Sequence, residues 1–396
     1  MPRVLLIIPT SSYRATDFFA AAESLGVEVT VAAEEPLPLV EHERFLTIDC
    51  ARPEQAARAI VDLATTTPID AIVPVDDAGV IIAALAAEQL GLPHNTPSAA
   101  TATRDKALMR RLLAAAEVDQ PAFVVIDSEE TAAVSAIGYP LVAKPLSLSG
   151  SRGVIKVDHP RDLEVTLARV REISGDSTVL LEEFVEGPEV AVEGMVWAGE
   201  LEVLAIFDKP DPLDGPFFEE TIYVTPSRLR PEVQAEVTRV TQRAVSGLGL
   251  TEGPIHAELR IAATDRPRLI ELAARSIGGI CGRSLHFGLL DTPLEALILR
   301  HALGRRASLR RKSGASGVMM LPTPKAGVLK AVEGIESALE VPGIRSIEIT
   351  TSIGSNVRPV PEADRYLGFI FATGPNPESV EHSLHQAFAR LEIDIA

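Results

Sequence analysis

The sequence contains few cysteines and few aromatic residues, and it has no excess of basic charge. Only two cysteines, Cys50 and Cys281, occur among 396 residues. This excludes a disulfide framework and indicates a reducing, cytoplasmic setting. Lys and Arg number 37 against 55 Asp and Glu, and the formal net charge is -18. Such an acidic surface repels nucleic acid and anionic membranes, so neither is an expected partner.

Long hydrophobic runs are absent as well. No window approaches the roughly 18 to 20 apolar residues of a membrane span, and the N-terminal run "RVLLII" is too short for a signal sequence. We therefore expect a soluble protein. With 396 residues, of which 46% are hydrophobic, the chain is long enough for about two to four compact units.

The first hundred residues alternate between strand and helix patterns. Strand patterns occupy 3–8, 27–32 and 70–75, and helix patterns occupy 16–25, 53–64 and 79–90. This alternation predicts a parallel, doubly wound sheet with right-handed crossovers. Because "PTSSYR" follows the first strand in place of the glycine fingerprint G-x-G-x-x-G, dinucleotide binding is not expected here.

The remaining chain predicts a mixture of helices and antiparallel strands. A connector rich in Pro, Ser and Thr at 92–101 precedes a helix at 104–118. The strand patterns that follow lie at 122–126, 139–145, 153–157, 178–185, 189–197, 201–209, 219–225, 254–261 and 268–275. Short turns within the run from 178 to 225 predict one large antiparallel sheet. The expected fold class is therefore α/β and α+β with several domains.

Two polar-faced strands, "PIHAELRI" and "RLIELAAR", are separated by only a short turn. With a period of two, one face carries His256, Glu258 and Arg260 on the first strand, and Glu271, Ala273 and Arg275 on the second. A hairpin brings Glu258 close to Glu271, and two such carboxylates repel unless a cation lies between them. Their hard oxygens favour Mg²⁺, and Arg275 is suited to binding a phosphate. The alternative is a solvated face with Glu–Arg pairs.

Two further segments are weaker candidates when each is taken alone. In "VAKPLSLSGSRGV", Lys144 ends a strand and precedes a loop of small residues whose backbone N–H groups could hold phosphate; a flexible hairpin tip is the alternative. In "LLEEFVEGPEVAVEG", the turn between Glu182 and Glu189 could offer backbone groups to an adenine and a carboxylate to a ribose. An ordinary hairpin with surface acids is the alternative there.

The order of these segments along the chain resembles the ATP-grasp superfamily from about residue 1 to 310. The segment "DKPDPLDGPFFEETIYVTPSRL", the motif "ELAARSIGG" and a C-terminal region of about 80 residues look most like the L-amino acid ligases. The resemblance implies an ATP-grasp fold with a Rossmann-like N-terminal subdomain and a small C-terminal α+β domain. The implied divisions are an N-terminal domain at 1–102, a small lid subdomain at 103–180, a large subdomain at 181–315 and a C-terminal domain at 316–396.

The resemblance also assigns roles to particular residues. The implied nucleotide-binding set comprises Lys106, Lys144, Ser149, Gly150, Ser151, Gly153, Glu182, Glu183, Val185 and Glu189. Glu258 and Glu271 are the implied ligands of Mg²⁺, which Mn²⁺ could replace, and Arg275 is implied to bind the transferred phosphate and the substrate carboxylate. Many ATP-grasp enzymes carry Asn two residues after the second metal-binding Glu, whereas this chain has Ala273. This departure puts the number of metal ions in doubt.

On the substrate side, Glu220 and Tyr223 lie where they could meet an ammonium group or the acceptor; a structural role is the alternative for Tyr223. Gly278 and Gly279 are expected to leave room beside Arg275. The implied activity is an ATP-dependent, ADP-forming ligation of an amino acid carboxylate to an amine through an acyl phosphate. The alternatives are a ligase for a non-amino-acid carboxylate or amine in natural-product biosynthesis and, more remotely, a non-catalytic ATP or amino-acid sensor. A homodimer is compatible with the sequence.

Overall fold

The N-terminal region forms a four-stranded parallel sheet in the order β3-β2-β1-β4. The structure is a computed structural model that describes residues 1–10, 12–37, 44–127 and 132–396. The elements of this region are β1 (Arg3–Ile7), α1 (Ala15–Leu25), β2 (Glu28–Ala33), β3 (Phe45–Thr47), α2 (Pro53–Ala64), β4 (Ala71–Pro74) and α3 (Val80–Leu90). The parallel, doubly wound arrangement is confirmed, and only the three-residue β3 was not predicted.

Strand β1 shows why this sheet is covered on both faces. Val4 and Leu6 pack into a core that also contains Phe18 of α1, whereas Leu5 and Ile7 pack into a second core with Ile60 of α2. Alternate side chains of a strand point to opposite faces, so a continuous apolar run is buried only when helices cover both. The carboxyl end of β4 carries the acidic turn that contains Asp77.

The predicted connector at 92–101 is helical in its second half, where α4 (Pro97–Ala102) precedes α5 (Lys106–Ala115). The Thr96 hydroxyl accepts a hydrogen bond from the Ala99 N–H at 3.2 Å. Pro97, at the start of the helix, has no N–H to leave unsatisfied. A threonine cap followed by proline is a helix signal, and the high content of Pro, Ser and Thr concealed it.

A separate four-stranded antiparallel sheet follows, in the order β5-β8-β6-β7. Its elements are β5 (Phe123–Ile126), β6 (Leu141–Pro145), β7 (Ile155–Val157), α6 (Leu163–Ser174) and β8 (Val179–Glu183). The prediction that the strand at 178–185 belongs to the large sheet is therefore wrong. Because β8 pairs with β5 and β6, the short segment after it crosses from this small sheet to the large one.

The large sheet has eight strands in the order β13-β12-β9-β10-β11-β14-β18-β16. The elements from residue 189 to 320 are β9 (Glu189–Trp197), β10 (Glu200–Lys209), β11 (Ile222–Thr225), α7 (Pro231–Gly247), β12 (Glu252–Ile261), β13 (Pro267–Ala273), α8 (Arg283–Gly288), α9 (Leu294–Ala302) and β14 (Ala315–Met320). All adjacent pairs in this sheet are antiparallel, and the short turns predicted this for β9, β10 and β11.

The C-terminal region adds two strands to the large sheet and also forms a separate three-stranded sheet in the order β17-β15-β19. Its elements are β15 (Gly327–Glu333), α10 (Ile335–Leu339), β16 (Ile344–Ile349), β17 (Asn356–Val357), β18 (Gly368–Gly374), α11 (Pro377–Phe388) and β19 (Glu392–Ile395). Helix α11 packs on β18 and β14. None of the helices in the described part of the chain is long and apolar enough to cross a lipid bilayer.

The two faces of β12 are chemically different, as the period of two predicts. Ile255, Ala257 and Leu259 lie in the core that contains Val237 and Val240 of α7. The opposite face, which carries His256, Glu258 and Arg260, lines a large cavity. The large sheet therefore uses one face for stability and offers the other to a ligand.

A buried ion pair joins the N-terminal region to helix α9. The Arg14 guanidinium lies 3.0 Å from Glu295 Oε1 and donates to the Val75 carbonyl at 3.1 Å. Removal of one partner from such a pair leaves the other charge buried without compensation. We expect Glu295→Gln to lower the free energy of unfolding by about 3 kcal/mol, as measured by urea unfolding followed through the fluorescence of the single tryptophan, Trp197.

The matched control is Glu28→Gln, because the Arg3–Glu28 pair has a shorter distance, 2.6 Å, but is about 30% exposed. An exposed pair contributes at most about 1 kcal/mol. Equal losses in the two variants would contradict the structural role given to the Arg14–Glu295 pair.

Candidate active site

One cavity of about 580 Å³ lies between the N-terminal region, the small sheet, the polar face of the large sheet and the C-terminal region. Sixteen of the seventeen predicted site residues line it. They are Lys106, Lys144, Ser149, Gly150, Ser151, Glu182, Glu183, Val185, Glu189, Glu220, Tyr223, Glu258, Glu271, Arg275, Gly278 and Gly279. Residues that are up to about 170 positions apart in the sequence thus share one space.

Lys106 is held at the start of α5. The Asp105 side chain caps the helix by accepting from the Leu108 N–H at 2.9 Å, a stabilising arrangement for the first turn. The Lys106 ammonium donates to the Leu148 carbonyl at 2.7 Å and lies 3.0 Å from Glu271 Oε1. It therefore connects the loop after β6 with the β12–β13 hairpin.

Lys144 and Arg110 bind the same buried carboxylate. Glu182 lies 2.6 Å from the Lys144 ammonium and 2.5 Å from Arg110 Nε. Burial alone would raise the pKa of Glu182, but the two cations outweigh it and lower the pKa to about 2. Sequence reasoning missed Arg110, which also donates to the Leu269 carbonyl at 3.1 Å. The basic side chain on the apolar side of α5 was the available signal.

The loop after β6 has the backbone conformation of a glycine-rich turn. Gly150, Ser151 and Gly153 have φ values of 64°, 57° and 69°, in the left-handed region that favours glycine. The Gly153 N–H donates to the Pro361 carbonyl at 2.9 Å, and Gly153 is the predicted site residue that does not line the cavity. The loop is therefore joined at this end to the C-terminal region.

The groups predicted to hold adenosine all have partners within the protein. Glu183 lies 2.7 Å from Arg268 Nη1, and the Val185 carbonyl accepts from Arg260 at 3.0 Å. The Glu189 carboxylate lies 2.6 Å from the Lys209 ammonium and 2.8 Å from Arg260 Nε. These contacts place the segment between the small and large sheets against the cavity, and the adenosine role of its residues stays a prediction.

The β12–β13 hairpin pairs the two predicted metal ligands directly. Glu258 is the register partner of Glu271, and His256 is the register partner of Ala273. An irregularity in the ladder after Glu258 pairs Leu259 with Leu269, so the extra residue of β13, Ile270, keeps both carboxylates on the cavity face. Strand β13 ends at Ala273, so Arg275 lies beyond the strand and not on it, contrary to the prediction.

Lys209 was not predicted, and it lies at the centre of a carboxylate cluster. Oxygens of Glu189, Glu220 and Glu258 lie within 4.8 Å of one another, and the Lys209 ammonium contacts all three. Burial would lower the pKa of Lys209, but the carboxylates raise it well above its usual value. Burial raises the pKa of Glu220 to about 7; Lys209 opposes this shift and Glu258 adds to it. Tyr223 donates to Glu220 at 2.6 Å.

Arg275 is oriented by an aspartate from the N-terminal region. Its Nε lies 3.1 Å from Asp77, and the same carboxylate lies 2.9 Å from Arg104 Nη1. Burial would raise the pKa of Asp77, but Arg275 and Arg104 lower it to about 2. Sequence reasoning missed Asp77 and Arg104, although the acidic turn after β4 stands at the carboxyl end of a parallel strand, where ligands of such sheets bind.

The two glycines after Arg275 differ from each other. A Cβ at Gly278 would have open space around it. At Gly279, φ is +57° and a Cβ would lie 2.7 Å from Phe369 Cζ. The prediction that Gly279 leaves room for a substrate is therefore wrong, because Phe369 occupies that space; Gly278 retains the predicted opening.

Comparison with known proteins agrees with this geometry. The family model described as an ATP-grasp domain matches residues 137–284, and the ATP-grasp N-terminal domain matches residues 19–94. The L-amino acid ligase C-terminal domain 2 matches residues 319–396. The fold, the cavity and these matches define the class, and the chain belongs to the ATP-grasp superfamily. Within that class it resembles the L-amino acid ligases.

Individual relatives support this placement. The crystal structure of an L-amino acid ligase from Bacillus licheniformis superposes with a TM-score of 0.85 at 25% identity, covering 100% of this chain and 99% of that one. An alanine–anticapsin ligase from Bacillus subtilis is 29% identical over 57% of this chain and 52% of its own length, so the match spans about half of that relative. A Sinorhizobium fredii protein, y4rH, is 26% identical over 100% of this chain and 84% of its own length.

The Glu182 ion pairs predict a specific response to acid. Because the pKa of folded Glu182, about 2, lies below its ordinary value of 4.5, the pairs stabilise the fold fully above pH 4.5. This contribution is lost as the pH falls from 4.5 towards 2, and it amounts to about 3 kcal/mol. We expect Glu182→Gln to be less stable at neutral pH and to lose less stability over that interval than the unsubstituted chain. Parallel pH dependences in urea unfolding would contradict this.

Proposed function

We propose that the chain joins the carboxylate of an amino acid to an amine, most simply the α-amino group of a second amino acid, through an acyl phosphate, with release of ADP and phosphate. In its coarser class it is an ATP-grasp carboxylate–amine ligase. The observation that carries the proposal is the convergence of Lys106, Lys144, the Glu258–Glu271 pair and Arg275 on one cavity. These are the charges that transfer of a phosphoryl group requires.

On the nucleotide side, Lys106 and Lys144 bind the phosphates, and the loop at 147–153 covers them. Each ammonium already contacts a carboxylate, so it is held at the cavity wall before ATP enters. Fixed cations stabilise developing charge on phosphate oxygens without reorganising in the reaction. The hydrogen bond from the Gly153 N–H to the Pro361 carbonyl holds the loop close to the site. A loop in that position excludes water, which would otherwise hydrolyse an acyl phosphate.

The residues at the hairpin fit Mg²⁺. Glu258 and Glu271 are register partners that line the cavity, and carboxylate oxygens are ligands that this ion prefers. We assign these two residues to the metal, with Ala273 adding no ligand. When bound, the ion supplies charge stabilisation on the phosphate oxygens. Lys106 pairs with one oxygen of Glu271, and Lys209 pairs with one oxygen of Glu258.

On the substrate side, Arg275 binds the donor carboxylate and the transferred phosphate through its planar guanidinium. Asp77 holds Nε of that group, so its orientation is set by the N-terminal region. Glu220 and Tyr223 face the ammonium group of an amino acid. Glu220 is suited to this because it shares Lys209 with two other carboxylates and is therefore incompletely neutralised.

A second candidate keeps this chemistry but uses a specialised natural-product carboxylate or amine. The observation that favours it is the match to a relative named alanine–anticapsin ligase, a name that pairs an ordinary amino acid with a different compound.

The division of the chain at residues 102, 180 and 315 also stays a proposal, since β14, β16 and β18 continue the large sheet into the C-terminal region.

The test is an assay with ATP, Mg²⁺ and pairs of amino acids, in which ADP and phosphate are measured and products are identified by mass spectrometry. We expect release of ADP and phosphate that depends on the amino acid and yields a dipeptide. Turnover only when a non-amino-acid carboxylate or amine is supplied as one of the two substrates would favour the second candidate. Tight ATP binding without turnover would indicate a sensor, and AMP with pyrophosphate would reject the acyl phosphate.

Glu271→Gln tests the metal assignment. We expect a loss of activity of about 100-fold or more, because removing an element that stabilises transition-state charge costs about that much, while circular dichroism stays unchanged. Glu252→Gln is the matched control, since Glu252 also lies on β12 but does not line the cavity. Unsubstituted rates in Glu271→Gln would show that Glu271 does not bind the metal.

Gly278→Trp tests the donor pocket. A tryptophan side chain introduced at position 278 would fill the open space beside Arg275. We therefore expect KM to rise at least about tenfold for donor amino acids with large side chains and to rise little for glycine or alanine. This corresponds to the roughly 1.4 kcal/mol that a blocked apolar contact costs. Gly278→Ala is the graded control. An unchanged donor profile in the tryptophan variant would place the donor side chain elsewhere.

A further inference from the structure

Three neighbouring strands place Glu193, His256 and Ala273 in one row across the large sheet. His256 is the register partner of Glu193 on β9 and of Ala273 on β13. The adjacent row on the same face contains Glu258 and Glu271. Side chains of register partners project to the same face, so the row of His256 adjoins the row of the metal carboxylates.

Glu193 is fully buried, and its hydrogen-bond partners in the described part of the chain, His256 and Ile277, both line the cavity. Its Oε2 accepts a hydrogen bond from His256 Nδ1 at 3.1 Å, and both of its oxygens lie 3.0 Å from the Ile277 N–H. Ile277 lies between Arg275 and Gly278. A single carboxylate therefore fixes both an imidazole ring and the loop that carries the substrate-side arginine.

The second ring nitrogen of His256, Nε2, is directed at Glu258. His256 Nε2 lies 3.5 Å from Glu258 Oε1, the oxygen that Lys209 also contacts at 3.1 Å. Because Nδ1 donates to Glu193, the plane of the ring is set and Nε2 cannot turn away from Glu258 without breaking that bond. Ala273, opposite His256, has only a methyl group and leaves the space above it to the ring.

We propose that Glu193 and His256 are positioning residues that hold Glu258 for the metal ion and join it to the Arg275–Gly278 loop. The inference rests on the proposed function, because it takes Glu258 as a metal ligand. Groups that orient metal-binding side chains typically contribute about 10-fold to 100-fold to metal affinity. Here the orienting pair stands opposite the position where the expected asparagine is replaced by alanine.

The experiment measures Mn²⁺ binding to the full chain in the presence of ADP, from the free Mn²⁺ signal in electron paramagnetic resonance. Two substitutions separate the two nitrogens of His256. Asn places an amide nitrogen near Nδ1 and keeps the bond to Glu193, whereas Gln places one near Nε2 and keeps the contact with Glu258. We expect His256→Asn to weaken Mn²⁺ binding about 10-fold and His256→Gln to bind closer to the unsubstituted chain.

Glu193→Gln should weaken Mn²⁺ binding by a smaller factor than His256→Asn, because one neutral amide oxygen then replaces the charged carboxylate as the acceptor for both Nδ1 and the Ile277 N–H. The matched control is Glu252→Gln. Glu252 also pairs with a buried histidine, His301, at 3.3 Å, but neither residue lines the cavity. Unchanged Mn²⁺ affinity in the control, with melting temperatures recorded for all variants, separates positioning from general destabilisation.

Equal Mn²⁺ affinities in His256→Asn, His256→Gln and the unsubstituted chain would overturn the inference, as would an equal loss in Glu252→Gln. Turnover that depends on the amino acid in the unsubstituted chain would leave the proposed function standing in either case. Absence of both turnover and Mn²⁺ binding in the unsubstituted chain would instead remove the proposed function, and the inference with it.

Discussion

The wall of the cavity depends on one constraint: its carboxylates are buried close together and must share a small number of fixed cations. Lys209 contacts three carboxylates, and Arg110 and Lys144 share Glu182. Like charges at such distances destabilise one another unless they are paired. The pairing explains why a strongly acidic chain can collect so many acids in one place and still fold around them.

The sheet supplies the geometry for that pairing. Strands β9, β12 and β13 run side by side with one face against α7, and alternate residues of β12 line the cavity on the other face together with Glu271 and Ala273 of β13. The rows Glu193–His256–Ala273 and Glu258–Glu271 follow directly from the register. Loops then bring in the groups that strands cannot supply: Asp77 from the N-terminal region and Pro361 from the C-terminal region each contact residues of the site.

The proposed function uses both parts of this arrangement, the strands of the large sheet and the loops that contact one another around the cavity. The hairpin presents carboxylates whose positions are set by backbone pairing, and Arg275 is held by Asp77 just beyond the end of β13. The loop after β6 contacts the C-terminal region through Gly153 and closes one side of the cavity. The ligation proposed above needs both properties, because rigid charges lower the barrier and a closed loop protects the proposed intermediate.

The sequence by itself determined the local elements and the chemistry of the faces. The period of two on β12, the alternation of the first hundred residues and the Glu258–Glu271 hairpin were all predictable, because each depends on neighbours close in the chain. The tertiary structure decided what those neighbours meet. It assigned β8 to the small sheet, placed Phe369 against Gly279, and gave Glu258 the partners Lys209 and His256. The contacts with Phe369 and Lys209 join residues up to 90 positions apart, from Gly279 to Phe369, and no local periodicity encodes them, since burial and register are properties of the assembled sheet.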